Sequence, residues 1–600
     1  MSVGPLGDTI SISPYIYGSN AQSDDRDERI TARRQGGNRL TGYNWENNAS
    51  NAGNDYIHHS DNYLTRDFTQ AEQDIPGIVL TKFHEESLAM GAYSLVTLPA
   101  AGFVARDKHG TVEPNESAPS PRWREVVFRK PGAFSTTPDT TDAFVYVDEE
   151  TRFLVDRFGG ASSGRGVRGY AIDNEPALWP STHARLHPEP TRARELIEKS
   201  LALAAAVKSV DRDAEIFGGV FYGYSEYLNE QNAPDWNEFS GYGTYLDAFL
   251  AEMKKGEDRA GSRLVDVLDI HWYPEARGRD RNGALVRIPF DTTTDSGVAA
   301  ARMQAPRSLW DSTYTEESWI GQYFSPVALL PSINASIARY YPGTRLAVTE
   351  FNYGGENHIS GAIAIADVLG ILGEQRVYMA NHWGPIDGFV SSAYRLYRNY
   401  DGAGGSFGSR GLRSRTADNE RSALHSAIDS LGRLHMITIN RGFDETIEAE
   451  ITLPEGSRYR PGRIYILTGE SREIREMPTP GEISNGLFRC SLPPLSVAHL
   501  ILEPEMPVAV RAGEELKESF TLHPSPASTE IVLGYSLAIG GHLRIEIVDP
   551  LGRRIRDVFT GAADKGLHTM TIPIAGIAPG VYFCRLRTEH GVRVERVIVR

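Results

Sequence analysis

The stretch that decides the fold is Gly-Tyr-Ala-Ile-Asp-Asn-Glu-Pro at residues 169–176, where a short apolar run leads into Glu175. A second stretch, Arg-Leu-Ala-Val-Thr-Glu-Phe-Asn-Tyr-Gly at residues 345–354, carries Glu350 directly after another apolar run. Short continuous apolar runs are typical of strands buried in a parallel sheet. In a barrel of such strands, the catalytic residues lie at the carboxyl ends of the strands. The two stretches therefore predict two barrel strands that each end in a glutamate.

Strand-like and helix-like segments alternate through the first two thirds of the chain. A helix is predicted within residues 191–210, where apolar residues recur at helical spacing. The alternation predicts an α/β fold, a (β/α)8 TIM-like barrel over residues 21–420, with a further strand expected between residues 100 and 165. Other barrel strands are predicted at residues 93–98, 167–172, 215–220, 264–270, 346–349 and 376–379.

After residue 420 the pattern becomes one of short strands separated by Gly, Pro and Asp/Asn turns. This pattern predicts an antiparallel β-sandwich over residues 421–505. Residues 1–20 are expected to join it through a strand at residues 10–17. The remaining sandwich strands are predicted at residues 434–439, 447–453, 463–467 and 497–502.

A linker is predicted at residues 506–519, and residues 520–600 are predicted to form a separate Ig-like all-β module. Strict apolar–polar alternation at residues 543–547 is typical of a half-buried strand. A turn is predicted at residues 549–552. The module is expected to close with a hairpin formed by residues 580–586 and 592–599.

The bulk composition excludes several classes of protein. A chain of 600 residues is too long for one core, so several domains are expected. The formal net charge of −16 argues against a nucleic-acid partner, since phosphate binding favours a basic surface. No apolar stretch approaches the roughly 20 residues of a membrane helix, so no membrane insertion is expected. The two cysteines, Cys490 and Cys584, fall in different predicted modules, and no disulfide is expected.

Glu175 and Glu350 are the predicted catalytic pair. Hydrolysis of a glycosidic bond needs one carboxyl group to protonate the leaving oxygen and another to attack or to direct water. Pro176 disfavours helix at the preceding residue, so an extended backbone is expected at Glu175. Flat aromatic rings with polar tips suit stacking on sugars, although several such rings are expected to be core residues, and His271 alone also fits a structural role. The candidate substrate contacts are Asn44, Trp45, Asn174, Trp179, His271, Trp272, Tyr273, Trp319, Tyr353 and Trp383.

Two alternatives remain open from the residues alone. A non-catalytic glycan-binding protein would keep an aromatic cleft but would not need both glutamates. Residues 520–600 are alternatively a carbohydrate-binding module, but they hold no tryptophan and only Tyr535 and Tyr582 as tyrosines, which favours sorting or adhesion. No His-Glu-x-x-His motif or phosphate-binding loop is present, so no cofactor is expected to be required. Metal ligands stay unassigned, and a structural calcium on loop carboxylates is compatible with the sequence.

Five segments resemble glycoside hydrolase family 44 in order along the chain. The longest is Arg-Gln-Gly-Gly-Asn-Arg-Leu-Thr-Gly-Tyr-Asn-Trp-Glu-Asn-Asn-Ala-Ser-Asn-Ala-Gly at residues 34–53. The others are Asp-Asn-Glu-Pro at 173–176, Asp-Ile-His-Trp-Tyr-Pro at 269–274, Thr-Tyr-Thr-Glu-Glu-Ser-Trp-Ile at 313–320 and Thr-Glu-Phe-Asn-Tyr at 349–353. The resemblance spans roughly residues 10–505.

This resemblance implies a retaining, endo-acting β-1,4-glucanase that hydrolyses cellulose-type glucans, xyloglucan or both. It also implies a barrel that carries a β-sandwich. By motif, Glu175 resembles the acid/base of the family and Glu350 the nucleophile. One departure is Phe351, where a tyrosine is expected in relatives. A retaining pair predicts carboxyl groups about 5–5.5 Å apart.

The C-terminal module resembles the Ig-like sorting domain of type IX secretion. The matching residues are His-Pro-Ser-Pro at 523–526, Ile-Val-Asp-Pro-Leu-Gly-Arg at 547–553 and Gly-Val-Tyr at 580–582. The resemblance implies a secreted or cell-surface protein. The first residues lack the charged start and apolar core of a signal peptide, and we expect that such a peptide has been removed. A β-glucan polysaccharide is the expected partner, and a monomer is the expected state.

Overall fold

Eight parallel strands close into a barrel in the computed structural model, which confirms the predicted fold class. Consecutive strands are neighbours around the barrel, and the last pairs with the first. In chain order the barrel strands are β1 (Tyr15–Ser19), β2 (Ala32–Gln35), β3 (Tyr93–Leu98), β4 (Gly169–Ile172), β5 (Glu215–Phe221), β6 (Val267–Trp272), β7 (Arg345–Phe351) and β8 (Met379–His382). The structure describes residues 1–600 except 21–26, 136, 478–480, 506–519, 524–526, 528–529, 538–540, 550–552, 565, 589–590 and 600.

Helices cross between the strands on the outside of the barrel, as right-handed parallel connections require. Longer helices lie after β2 to β8, and shorter ones lie in the loops at the strand ends. The helices are Asn38–Thr41, Gln70–Gln73, Ile78–Met90, Val147–Phe158, Trp179–Thr182, Ala193–Val210, Tyr224–Asn229, Tyr245–Ala260, Ser296–Gln304, Trp319–Phe324, Leu329–Tyr340, Ile359–Glu374 and Gly388–Arg398.

Two barrel strands differ from the sequence prediction. The strand expected between residues 100 and 165 is not in the barrel, because Phe103–Ala105, Trp123–Val127 and Phe144–Tyr146 form a separate three-stranded sheet. The missing barrel strands are β1 and β2 near the N-terminus. The strand predicted at residues 10–17 overlaps β1, but it was expected in the sandwich and not in the barrel. The apolar pattern does not reveal β2, because β2 reads Ala-Arg-Arg-Gln.

Two antiparallel sheets pack beside the barrel and bury a second core between them. Residues 1–20 divide between the two architectures: Ser2–Val3 and Thr9–Ser11 join these sheets, whereas Tyr15–Ser19 is β1 of the barrel. The larger sheet contains Thr9–Ser11, Arg410–Leu412, Ser422–Ile428, Leu434–Asn440, Tyr459–Thr468, Ser471–Glu476 and Ser496–Pro504. The smaller contains Ser2–Val3, Ser414–Arg415, Ile447–Thr452, Glu482–Ser484 and Leu487–Leu492.

The helix Ile359–Glu374 connects β7 to β8 and is buried on nearly all sides. Its sequence, Ile-Ser-Gly-Ala-Ile-Ala-Ile-Ala-Asp-Val-Leu-Gly-Ile-Leu-Gly-Glu, is apolar around its whole circumference, which is typical of a helix packed on both faces. The helix lies between the barrel and the strands Ser422–Ile428 and Leu434–Asn440. It therefore joins the two cores of the larger unit.

A buried ion network crosses the same boundary. Asp367 on the helix accepts hydrogen bonds from Arg441 at 2.5 Å and from His425 at 2.8 Å. Burial alone would raise the pKa of Asp367, but Arg441 and His425 outweigh it and hold the pKa below its usual value. Burial opposes protonation of His425, yet Glu374 and Asp367 raise its pKa to about 9. The network therefore holds opposite charges together inside the protein.

The second compact unit, Pro504–Arg600, is all-β in its described residues and has its own core. One sheet contains Phe520–His523, Glu530–Leu537 and Gly566–Pro573, and the other contains Gly541–Val548, Arg554–Ala563, Gly580–Thr588 and Gly591–Val599. The last two strands pair antiparallel, as the predicted closing hairpin requires. The predicted linker at 506–519 and most of the predicted turn at 549–552 lie outside the described residues. No described helix is long and apolar enough to cross a membrane.

Removal of the Asp367 carboxylate should destabilise the larger unit. In Asp367→Ala, the buried Arg441 loses its carboxylate partner and His425 keeps only Glu374, which costs on the order of 3 kcal/mol. Urea unfolding of the full chain measures the loss. The control is Asp8→Ala, because Asp8 pairs with Arg413 at 3.7 Å on the surface and both side chains are largely exposed. Equal stability of the two variants would contradict this account of the boundary.

Candidate active site

Glu175 lies three residues beyond β4 on a strained turn. Its backbone is left-handed, with φ 45° and ψ 59°, and Asp173 also has a positive φ of 58°. The extended backbone predicted from Pro176 is therefore wrong. Non-glycine residues with positive φ are uncommon and persist where surrounding contacts hold them. The two left-handed residues turn the chain sharply, and the Glu175 amide donates to the Val220 carbonyl on β5 at 3.1 Å.

The carboxylate of Asp173 holds this turn in place. It is fully buried and accepts from the Thr41 hydroxyl at 2.5 Å and from the amides of Ala100, Ala101 and Asn174 at 2.5–3.0 Å. Burial raises the pKa of Asp173, and these hydrogen bonds partly offset the effect. The Trp179 indole also donates to this carboxylate, at 3.4 Å, so five donors fix the loop that carries Glu175.

Glu350 lies within β7, and its side chain is only 5% exposed. Its Oε1 accepts from Arg34 Nη1 at 2.6 Å, and its Oε2 accepts from the Tyr273 hydroxyl at 2.7 Å. The same guanidinium donates through Nη2 to Asn174 Oδ1 at 2.8 Å. Arg34 lies at the end of β2 and is buried. A charge-assisted hydrogen bond of this kind stabilises the ionised carboxylate in a closed site.

His271 lies between the two glutamates. Its Nδ1 is 2.8 Å from Glu175 Oε1 and 3.4 Å from Glu350 Oε2. One oxygen of each glutamate and one ring nitrogen of His271 all lie within 4.8 Å of one another. Burial lowers the pKa of His271 to about 3, so the ring is neutral at ordinary pH. The interpretation of His271 as a purely structural histidine does not fit these contacts.

The two carboxyl groups differ in their surroundings. Burial raises the pKa of Glu175 to about 7, while the Arg34 cation lowers it and Asp55 raises it further. The Glu175 carboxyl is therefore protonated in a large fraction of the molecules at pH 7, whereas Glu350 accepts hydrogen bonds from Arg34 and Tyr273. Two carboxyls in such different surroundings are typical of an acid and its partner base or nucleophile.

Apart from His271, which contacts both glutamates, five of the predicted substrate contacts are buried at 1% exposure or less. A ring without an exposed face has no surface to offer a sugar, so the four aromatic residues among them do not fit the predicted stacking role. The rings of Trp45 and Phe153 pack with their centroids 5.1 Å apart. The side-chain amide of Asn44 donates to the Ala105 carbonyl, and its oxygen accepts from the Glu46 amide. The five are Asn44, Trp45, Trp179, Trp272 and Tyr353.

The other predicted contacts lie at or near the glutamates, or have exposed surface. Asn174 and Tyr273 bond the Arg34–Glu350 pair directly. Trp319 is 36% exposed, and Trp383 is half-buried. The ring of Trp383 lies against Gly37, where an added Cβ would come within 2.6 Å of it, so glycine is required there.

Arg34 is the site residue that the sequence prediction missed. An arginine inside a barrel strand is expected to be buried and paired, so recognition of β2 as a strand would indicate a role for Arg34. The apolar pattern does not predict β2, and for this reason it does not predict Arg34 as a site residue. Its partners Asn174 and Glu350 lie on the loop after β4 and on β7, and only closure of the barrel brings these segments next to β2.

A (β/α)8 barrel that brings two glutamates together at its strand ends is typical of the glycoside hydrolases. Residues 49–276 match the model of glycoside hydrolase family 44. Over 510 residues the chain is 47% identical to Endoglucanase A of Paenibacillus lautus, across 84% of this chain and 72% of that protein. It is 46% identical over 509 residues to a β-mannanase/endoglucanase A of Caldicellulosiruptor saccharolyticus, across 82% of this chain and 38% of that protein. The chain belongs to glycoside hydrolase family 44, and it is an enzyme.

Solved structures agree with this assignment. The family 44 xyloglucanase of Paenibacillus polymyxa superimposes with a TM-score of 0.80 at 47% identity, over 84% of this chain and 99% of that one. A family 44 endoglucanase from Clostridium thermocellum gives a TM-score of 0.80 at 46% identity, over 84% of this chain and 99% of that one.

Residues 521–600 match a secretion system C-terminal sorting domain. This match confirms the predicted sorting role of the module. The protein is therefore secreted or displayed at the cell surface.

Replacement of the buried Glu175 carboxyl should raise stability above neutral pH. The folded-state pKa of about 7 lies above the ordinary value of 4.5, so the free energy of unfolding falls as pH rises from about 4.5 to about 7. Glu175→Gln removes that decrease. Its free energy of unfolding should match that of the wild type at pH 4 and exceed it at pH 8 by about 3 kcal/mol, which thermal unfolding at the two pH values measures.

The control for this pH dependence is Glu470→Gln, because the Glu470 side chain is 79% exposed and gives up little hydration on folding. A constant difference between Glu175→Gln and wild type from pH 4 to pH 8 would show that Glu175 is not the titrating group.

Proposed function

We propose that this enzyme is an endo-acting β-1,4-glucanase that cleaves cellulose-type glucans, xyloglucan or both with retention of anomeric configuration. The observation that carries the proposal is that one carboxyl oxygen of Glu175 lies within 4.8 Å of one carboxyl oxygen of Glu350. Oxygens this close fit a retaining enzyme, whose carboxyls are about 5–5.5 Å apart, better than an inverting enzyme, which leaves about 6.5–9.5 Å for a water molecule. The substrate class follows from relatives that are named endoglucanase and xyloglucanase.

Glu350 is the proposed nucleophile. Its carboxylate attacks the anomeric carbon, a carbon–oxygen bond forms to Glu350, and the bond to the leaving sugar breaks. Arg34 and Tyr273 each donate to one carboxylate oxygen, and these contacts orient the nucleophile.

Glu175 is the proposed acid/base. In the first step its proton passes to the leaving glycosidic oxygen, which leaves Glu175 ionised. In the second step the Glu175 carboxylate accepts a proton from water as the water oxygen attacks the anomeric carbon and releases Glu350. The neutral ring of His271 lies 2.8 Å from Glu175, within reach to donate Nδ1–H to the ionised form. The cycle returns both glutamates to their starting states.

Burial of Glu175 is the main reason for its raised pKa. This cause matters for the mechanism. A burial effect persists when the charge on Glu350 is consumed in the glycosyl-enzyme. The raised pKa of Glu175 is therefore partly independent of the chemical state of Glu350.

The proposed reaction requires no cofactor, because the two glutamates supply both the proton and the nucleophile. Glu175, His271 and Glu350 also form a set of possible metal ligands, so the point needs a test. Treatment with a chelator should leave the turnover rate unchanged. A lower unfolding temperature after chelation would instead indicate a structural calcium ion, which the sequence allows. We further propose that the enzyme acts as a monomer, since one chain supplies every residue of the site.

Variants of the two glutamates with azide as an external nucleophile should separate their roles. Glu175→Ala and Glu350→Ala should each lose at least about a thousandfold in activity on xyloglucan and carboxymethyl cellulose. With an activated aryl glycoside as substrate, azide should restore turnover of Glu175→Ala and give a β-glycosyl azide. It should restore turnover of Glu350→Ala and give an α-glycosyl azide.

The sizes of the products that the wild type releases from the polysaccharide should show internal cleavage.

The outcome that contradicts the assigned roles is the same azide anomer from both variants, or rescue of neither. Near-normal turnover by either variant would remove that glutamate from the mechanism. Release of single sugars from the chain end alone would contradict endo action.

A further inference from the structure

Phe290 presents a large aromatic ring to solvent on a strained backbone. The side chain is 52% exposed, and its φ is 61°. A bulky residue at positive φ is a genuine outlier, and such strain costs on the order of 1 kcal/mol or more. An exposed phenylalanine contributes little burial in return. The fold therefore maintains this ring in an unfavourable position.

The loop that carries Phe290 is held by the segment that follows the proposed nucleophile. Asn352 Oδ1 accepts from the Phe290 amide at 2.9 Å and from the Gly354 amide at 2.7 Å. A Cβ added to Gly354 would lie 2.5 Å from the carbonyl oxygens of Ile288 and Asp291, so the loop packs directly on this glycine. The Phe290 loop and the end of β7 thus form one rigid piece.

A buried arginine secures the other side of the loop. Arg302 is fully buried and donates to the Asp291 carbonyl at 3.0 Å and to its carboxylate at 3.1 Å. Its Nε also donates to the Tyr353 carbonyl at 3.1 Å. The backbone on both sides of the Phe290 ring is therefore fixed, although the ring itself is exposed.

The Phe290 ring lies one side chain away from the proposed nucleophile. It packs on Tyr273 with ring centroids 5.4 Å apart and an interplanar angle of 37°. The Tyr273 hydroxyl donates to Glu350 Oε2 at 2.7 Å. The exposed face of Phe290 consequently borders the place where the glucan must lie for Glu350 to reach it.

We propose that Phe290 is a specificity-determining stacking platform for a glucose ring of the β-linked glucan chain beside the reacting unit. A β-glucose ring has two flat faces of C–H bonds that pack on an aromatic ring, and a rigid platform avoids the entropy cost of ordering it on binding. This inference rests on the proposed glucanase function. Phe290 touches no reacting atom, so it contributes binding and alignment rather than chemistry.

Binding measured without turnover tests the proposal separately from the proposed function. In a Glu175→Gln background, calorimetry measures the affinity for a xyloglucan oligosaccharide and for cellohexaose. Addition of Phe290→Gly should weaken binding about tenfold, because the platform is lost while glycine accepts the positive φ. Addition of Phe290→Trp should keep the affinity within about threefold, because a larger ring replaces the phenyl.

The matched control is Phe443→Ala, since Phe443 is another exposed phenylalanine, at 37%, and lies in a loop between two sandwich strands. It should bind like the Glu175→Gln parent. Unchanged affinity in Phe290→Gly overturns the proposal, and so does an equal loss in Phe290→Trp, which would assign the effect to loop geometry. Failure of the proposed function would appear differently, as an absence of oligosaccharide cleavage by the wild-type enzyme.

Discussion

The guanidinium of Arg34 is the interaction on which the site depends. A carboxylate buried inside a barrel is costly unless a charged donor meets it, and Arg34 meets Glu350 at 2.6 Å. Its second nitrogen bonds Asn174 on the loop after β4, and the first also donates to Asn20 after β1 at 3.2 Å. One planar cation thus ties four parts of the barrel rim together. The fixed fork of an arginine suits this task in a way that a lysine would not.

Backbone strain is concentrated at the same rim and is held by buried polar groups. Asp173 and Glu175 have positive φ, and the Asp173 carboxylate satisfies the amides that the turn leaves without partners. At Phe290 a side-chain oxygen of Asn352 plays the same part. Strain of this kind is stable only where the scaffold is rigid, and the barrel and the buried helix Ile359–Glu374 supply that rigidity. Glu175 and Glu350 are therefore positioned before substrate arrives.

The sequence predicted the barrel and the location of both glutamates, because each follows an apolar run with a clear parallel-strand pattern. It did not predict β2, whose two arginines hide a strand that is buried by tertiary contacts rather than by apolar composition. For the same reason it missed Arg34. It also assigned sugar contacts to Trp45 and Trp179, since composition does not reveal which face of a ring is covered. Positive φ at Glu175 was likewise hidden, because the Asp173 contacts that enforce it join segments distant in sequence.

The most direct test of the central claim, that the two glutamates act as a retaining pair, is proton NMR of the reducing end formed in the first minutes of xyloglucan hydrolysis. The carboxyl separation predicts that the β-anomer forms first and that the α-anomer appears only as mutarotation proceeds. Initial formation of the α-anomer would show inversion and would contradict the assignment of Glu350 as nucleophile.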